Sequence, residues 1–125
     1  IGILGLAFKA NTDDVRESKS IDIIKYLISN QAEIAAYDPA AIENMRNIFP
    51  NVNYKYTIDE VVKNASAILI MTDWNEFRGL DLQKAAKIMK EKIIVDARNL
   101  LSREDLFENN FIFEGVGRPF LKNYD

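Results

Sequence analysis

Short apolar runs alternate with segments of helical period along the whole chain, and this alternation constrains the fold more than any other feature. Ile1–Leu6, Glu33–Tyr37, Val52–Tyr56, Ala67–Met71, Ile93–Asp96 and Phe111–Val116 each read as a short strand. Between them the spacing predicts helices. One starts at Ser18, with Ile21, Ile24, Leu27 and Ile28 on one face; others cover Ala40–Ile48, Thr57 to Asn64, Leu82–Lys90 and Ser102 to Asn109. Thr57 and Glu60 have capping-box spacing, and Ser102 with Asp105 marks a second cap. Thr72–Phe77 reads as a loop. The unbroken run Ala67–Met71 is the mark of a central strand covered on both faces. Parallel strands need a crossover between them, so repeated alternation means a parallel sheet with helices on both faces. Six strands in two βαβαβ halves give the doubly wound order 3-2-1-4-5-6, a Rossmann-like three-layer α/β fold.

At 125 residues the chain is one domain, large enough for a core without disulfides. Residues 1–117 hold the pattern, and 118–125 read as a C-terminal tail. The first residue, Ile1, already lies in a strand pattern without an initiator Met, so the chain reads as part of a longer protein. The net charge of −3 argues against a general nucleic-acid binder and makes any anion site a local one. No apolar run approaches the roughly 20 residues of a membrane span. The absence of Cys fits a reducing, cytoplasmic compartment. With no His either, the commonest nucleophile, general base and zinc ligands are missing, so no catalytic residue and no metal site is expected.

In open α/β sheets ligands bind beyond the carboxyl ends of the strands, where the strand order reverses. Here that point lies between the first and fourth strands. Ala7-Phe8-Lys9 follows the first strand, Thr72-Asp73-Trp74 the fourth and Ala97-Arg98-Asn99 the fifth. Two cations and two aromatics therefore fall beside one crevice of an acidic domain, which suits a phosphate and a flat base. Taken singly, Phe8 and Trp74 read equally as core, and Lys9 and Arg98 as solvated; Arg98 also has Asp96 within reach as a structural partner.

The glycines do not make the tight phosphate turn of a dinucleotide fold. That fingerprint is G-x-G-x-x-G with its last glycine already in the helix, whereas this chain has Gly2-x-x-Gly5 and a helix about a dozen residues later. The two glycines read equally as sites of close helix packing on the first strand. The segment Ala7–Glu17 is a long polar loop, and such loops in α/β units are more often functional than accidental. Its "TDDVRES" also reads as a charged loop whose Asp and Ser cap the next helix. Asp38 stands where an acidic residue holds a ribose hydroxyl, and equally where a turn former precedes Pro39.

Four segments, "GLAFKANTDDVRES" (Gly5–Ser18), "YDP" (Tyr37–Pro39), "TDWNEF" (Thr72–Phe77) and "DARNL" (Asp96–Leu100), resemble the nucleotide-sugar dehydrogenase family. The family comprises UDP-glucose, UDP-N-acetylmannosamine and GDP-mannose dehydrogenases, and the likeness is to its C-terminal, nucleotide-sugar-binding domain. "TDWNEFRGLD" most resembles the UDP-glucose branch. The resemblance implies that Phe8, Lys9 and Arg98 contact the UDP-sugar and that Arg16 approaches NAD. Ala97 departs from the family's usual glycine. The family oxidises the C6 alcohol to a carboxylate in two steps, with a cysteine nucleophile and an NAD-binding domain that this chain lacks. The resemblance thus implies a fragment inactive alone, partnered by N-terminal NAD-binding and central helical domains in an enzyme that is a homodimer. A rival reading is a stand-alone NAD-binding or ligand-sensing module, which rests on the general fold alone. A receiver-like domain would need an acidic pair after the first strand, where Ala7-Phe8-Lys9 stands.

Overall fold

The computed structural model describes residues 1–115; the end of the expected last strand and the expected tail lie outside the described residues. Six parallel strands form one sheet: β1 (Gly2–Leu4), β2 (Ala35–Tyr37), β3 (Asn53–Tyr54), β4 (Ile68–Ile70), β5 (Ile93–Asp96) and β6 (Ile112–Gly115). Their order is β3-β2-β1-β4-β5-β6, the doubly wound arrangement expected from the alternation. The helices are α1 (Lys19–Ser29), α2 (Ile42–Ile48), α3 (Ile58–Val62), α4 (Asn75–Arg78), α5 (Leu82–Ile88) and α6 (Arg103–Glu108).

Successive strand residues point to opposite faces, so two cores form. Ile3 joins Leu6, Ile24, Ala36, Ile42 and Met45 beneath α1 and α2. Its neighbour Leu4 joins Val61, Ile68, Ile70, Phe77, Ala85, Ile94 and Leu106 on the face of α3 to α6. In β4 the two faces differ: Ile68 and Ile70 are fully buried, while Leu69, opposite Ile3, is only half-buried. The expectation of full cover on both faces of this strand therefore holds for one face. Among the described residues only α1 and α2, which serve β1 to β3, lie on the other.

Local signals set the helix ends. Ser18 caps α1 by accepting the N–H of Ser20 at 3.1 Å. Thr57 accepts the N–H of Glu60 at 3.2 Å, the forward half of the expected box, and its hydroxyl donates to the Glu60 carboxylate at 3.0 Å in place of the reciprocal bond to the Thr57 backbone N–H. Ser102 accepts the N–H of Asp105 at 3.2 Å. Such caps contribute about 1 kcal/mol each.

Three expectations need correction. Ile28 is 48% exposed rather than on the buried face, although Ile24 of the same face is fully buried. Leu27 of the same last turn still packs on that core, so Ile28 lies beyond the edge of the buried stripe. The segment read as the loop Thr72–Phe77 turns helical at Asn75, where α4 begins after Trp74. Phe77, fully buried and edge-on to Tyr37 at 6.2 Å between ring centroids, drives that turn into the core. In addition, α3 ends at Val62 instead of Asn64, which is left-handed at φ 62°.

Candidate functional site

The loop after β1 is fixed residue by residue to its neighbours. Asp38, buried at the end of β2, accepts five N–H groups. Its Oδ2 takes Leu6 at 2.8 Å, Ala7 at 3.0 Å and the Trp74 indole at 3.1 Å. Its Oδ1 takes Ala40 and Ala41 at 2.8 and 2.9 Å, opening the turn into α2. The turn-forming role is therefore the one Asp38 fills: with both oxygens occupied by the protein, no acceptor is left for a ribose hydroxyl.

Thr72 donates its hydroxyl to the carbonyl of Ala7 at 2.9 Å, and Asp73 Oδ1 accepts the N–H of Ala10 at 3.3 Å. Phe8 and Lys9 thus project from a segment pinned at Ala7 and again at Ala10. Gly5 makes the approach possible. It sits at φ +106°, where a Cβ would lie 2.4 Å from Thr72 Oγ1 and 2.7 Å from the Thr72 nitrogen. Close helix packing accounts for Gly2, which faces Val61 of α3, but not for Gly5, which faces the end of β4.

Beyond the carboxyl ends of β1, β4 and β5 lies a crevice of about 470 Å³, lined by Phe8, Glu17, Lys19, Met71, Ala97 and Arg98 among others. It is at the switch point that the strand order requires. Phe8 and Arg98 meet there as expected from the sequence. Lys9 is not among the lining residues; its Nζ sits over the Phe8 ring, 5.3 Å from the centroid. Trp74 faces elsewhere: it is held by Asp38 and packs on the core of α3 to α6. The expected gathering of two aromatics and two cations is thus one aromatic and one cation at the wall, with Lys9 beside them. Lys19, first residue of α1, is a lining cation that the sequence reading passed over. The signal for it was its place one residue after the Ser18 cap.

Arg98 pairs with Asp73, Nη2 to Oδ2 at 3.6 Å, and not with Asp96 as its closeness in sequence suggested. Asp96 is buried and occupied otherwise, accepting the backbone N–H of Arg98 at 3.3 Å and of Leu101 at 2.9 Å. The left-handed residue of this turn is Asn99 at φ 56°, so Ala97 fits without strain where a glycine was expected.

Arg16 stands apart from the crevice wall. It lines a second cavity of about 370 Å³ with Phe8, Asp14 and Glu17. Asp14 grips it through Nε at 3.0 Å and Nη2 at 2.7 Å. These bonds hold the Asp14 carboxyl down at about 2 and raise the Arg16 guanidinium. Asp14 therefore orients Arg16 and leaves the capping of α1 to Ser18. At the end of β2, Tyr37 donates its hydroxyl to Glu76 at 2.7 Å; burial first, then that carboxylate, pushes the phenol well above its ordinary value.

Among the described residues no helix is long and apolar enough to cross a membrane. Comparison with known proteins agrees with the geometry. The family described as "UDP-glucose/GDP-mannose dehydrogenase family, UDP binding domain" matches residues 2–103. UDP-glucose 6-dehydrogenase AglM of Haloferax volcanii is 42% identical over 105 residues, which are 84% of this chain and 24% of that protein. UDP-glucose 6-dehydrogenase of Rhizobium meliloti is 36% identical over 119 residues, 95% of this chain and 27% of that protein. Among solved structures, a UDP-glucose dehydrogenase from Pyrobaculum islandicum superposes with a TM-score of 0.78 at 32% identity. The match covers 94% of this chain and 25% of that one. A UDP-D-ManNAc dehydrogenase from Pyrococcus horikoshii gives 0.74 at 33% identity, over 94% and 25%. The chain thus spans about a quarter of the length of the relatives it matches. Fold, crevice and comparison converge: the chain belongs to the UDP-glucose/GDP-mannose dehydrogenase family and is its UDP-binding domain.

Proposed function

We propose that this chain holds the substrate of an NAD-dependent dehydrogenase that oxidises the C6 alcohol of a UDP-sugar, with UDP-glucose, converted to UDP-glucuronate, as the first candidate. The observation that carries the reading is the crevice at the switch point, where Phe8, Lys19 and Arg98 converge in a domain of net negative charge. In this reading Phe8 offers a flat apolar wall to the nucleotide. Arg98 and Lys9 meet the diphosphate and sugar from the two sides of β4, charge-assisted and partly shielded from water. Neither residue does bond-making chemistry. Their work is to hold the nucleotide so that its sugar carbon faces groups supplied by the rest of the enzyme.

NAD supplies the hydride acceptor when bound. The residues here do not amount to a site for it, because the turn after β1 lacks the tight glycine turn and Asp14 and Glu17 flank Arg16. They fit one edge contact: Arg16, 87% exposed and pre-oriented by Asp14, reaches towards a cofactor bound mainly by another domain. The same reading places the whole enzyme in the cytoplasm, in polysaccharide precursor synthesis, as a homodimer formed through its central helical part.

Calorimetry of the chain with UDP, GDP and NAD at low salt tests the reading. UDP binding that Lys9→Ala and Arg98→Ala both weaken is the expected result. Binding of NAD with no response to UDP or GDP would replace it with the sensor module.

A further inference from the structure

The sheet order sets β4 between β1 and β5, so the loop after β4 lies between the two loops that carry Lys9 and Arg98. Asp73 uses that position twice. Its Oδ1 accepts the N–H of Ala10, next to Lys9, and its Oδ2 faces the Arg98 guanidinium at 3.6 Å. Both side chains are a little over one-third exposed, and Arg98, but not Asp73, lines the crevice. Asp73 is itself braced from behind: Thr72 is bonded to Ala7, and the Trp74 indole to Asp38. A carboxylate fixed on both flanks is a rigid rest for a long side chain.

We infer that Asp73 is a positioning residue of the nucleotide site, a brace that holds Arg98 and the Lys9–Ala10 backbone at their distance across β4. The inference rests on the reading of Lys9 and Arg98 as ligand contacts. An arginine side chain has many rotamers to lose when it grips an anion, and a fixed partner removes part of that loss before the ligand arrives. The carboxylate also sets a negative charge near the diphosphate. Because Arg98 and the Ala10 N–H already engage both its oxygens, orientation outweighs repulsion.

Two variants separate the two contacts. Asp73→Asn keeps an acceptor for Ala10 and removes the ion pair; Asp73→Ala removes both. Calorimetry with UDP should show Asp73→Asn weakening binding about two- to fivefold, the range of one exposed ion pair, and Asp73→Ala weakening it more. The double variant Asp73→Asn/Arg98→Ala should bind no more weakly than Arg98→Ala alone, because asparagine keeps the Ala10 contact and the lost ion pair acts only through the arginine. An unchanged thermal midpoint for Asp73→Asn separates the effect from a loss of fold. In the ligand-free chain, the Arg98 Nη–H signals in a low-temperature nitrogen–proton NMR spectrum should shift between the parent and Asp73→Asn. Unchanged or tighter UDP binding by Asp73→Asn, or an additive loss in the double variant, overturns the brace while leaving the site intact. Full UDP affinity in Arg98→Ala overturns the site reading itself, and the brace with it.

Discussion

Trp74 donates its indole N–H to Oδ2 of Asp38 over 3.1 Å, so the loop after β4 is tied to the end of β2 across the intervening β1. The same oxygen holds Leu6 and Ala7 of the loop after β1. Three loops at the switch point therefore meet on one buried carboxylate, and the crevice inherits its shape from that meeting.

Removing this hub should cost more than any single bond in it. Asp38→Ala leaves buried N–H groups without an acceptor, and we expect a loss on the order of 3 kcal/mol or more in urea unfolding. Asp38→Asn should fall between, since its amide keeps one oxygen but turns an NH₂ towards donors. Trp74 is the chain's one tryptophan, so its emission should shift to the red in both. Trp74→Phe, followed by circular dichroism, removes one of the five bonds and should lose about 1–2 kcal/mol. Asp38→Ala with stability close to the parent would end the hub account.

Two glycines of β1 and its exit should differ in tolerance. At Gly5 an added Cβ meets the backbone nitrogen of Thr72 at 2.7 Å and requires a left-handed φ of +106°. At Gly2 it meets Ile68 Cδ1 at 2.6 Å and Val61 Cγ1 at 2.8 Å, side-chain tips that can give, although Val61 O stands at 3.1 Å. Gly2→Ala should lose about 1–3 kcal/mol as overpacking, and Gly5→Ala should lose more. Thr72→Ala should not rescue Gly5→Ala, because the backbone clash remains. Thermal melts of the three variants decide it; a rescued double variant would mean the hydroxyl alone set the limit.

Asp14 should titrate at about 2 in carboxyl-carbon NMR, and Arg16→Ala should return it only part of the way to the ordinary aspartate range, because the backbone N–H of residue 16 still donates to it. The sign follows from a folded value below the unfolded one. The pair's contribution is complete above the unfolded pKa of ~3.9 and disappears as pH falls through about 2. Since Arg16 lies out in solvent, high salt should move the titration back upward. An Asp14 midpoint near 4 in the parent chain would show that the two side chains are not paired in solution.

Lys19 should count in ligand binding although it belongs to no contact carried over from the family's motifs. It lines the crevice with Phe8 and Arg98, so Lys19→Ala should weaken UDP binding about two- to fivefold and flatten its dependence on salt. Lys25→Ala, six residues on and exposed on the same helix, serves as the control for net charge. Equal effects from the two variants would reduce Lys19 to general electrostatics.

Much of this is legible in the sequence, because it depends on interactions close along the chain. Ser18, Thr57 and Ser102 cap the helices that follow them, and capping acts over two or three residues. The apolar runs Ile1–Leu6 and Ala67–Met71 mark the inner strands, and connection rules turn six strands into one order. The switch point followed, and with it Phe8 and Arg98 at one crevice.

What only the tertiary structure decided are the contacts between residues far apart in the chain. Asp38 reads as a turn former or a ribose ligand until Leu6 and Trp74, at separations of 32 and 36 residues, arrive to occupy it. Arg98 has Asp96 two positions away, yet Asp73 from the loop after β4 holds it, because Asp96 is buried and spends its oxygens on backbone N–H groups. Trp74 leaves the crevice and Gly5 turns left-handed for the same kind of reason. A side chain's neighbour in sequence is settled by bond geometry, whereas its neighbour in space is settled by which strands the sheet lays side by side.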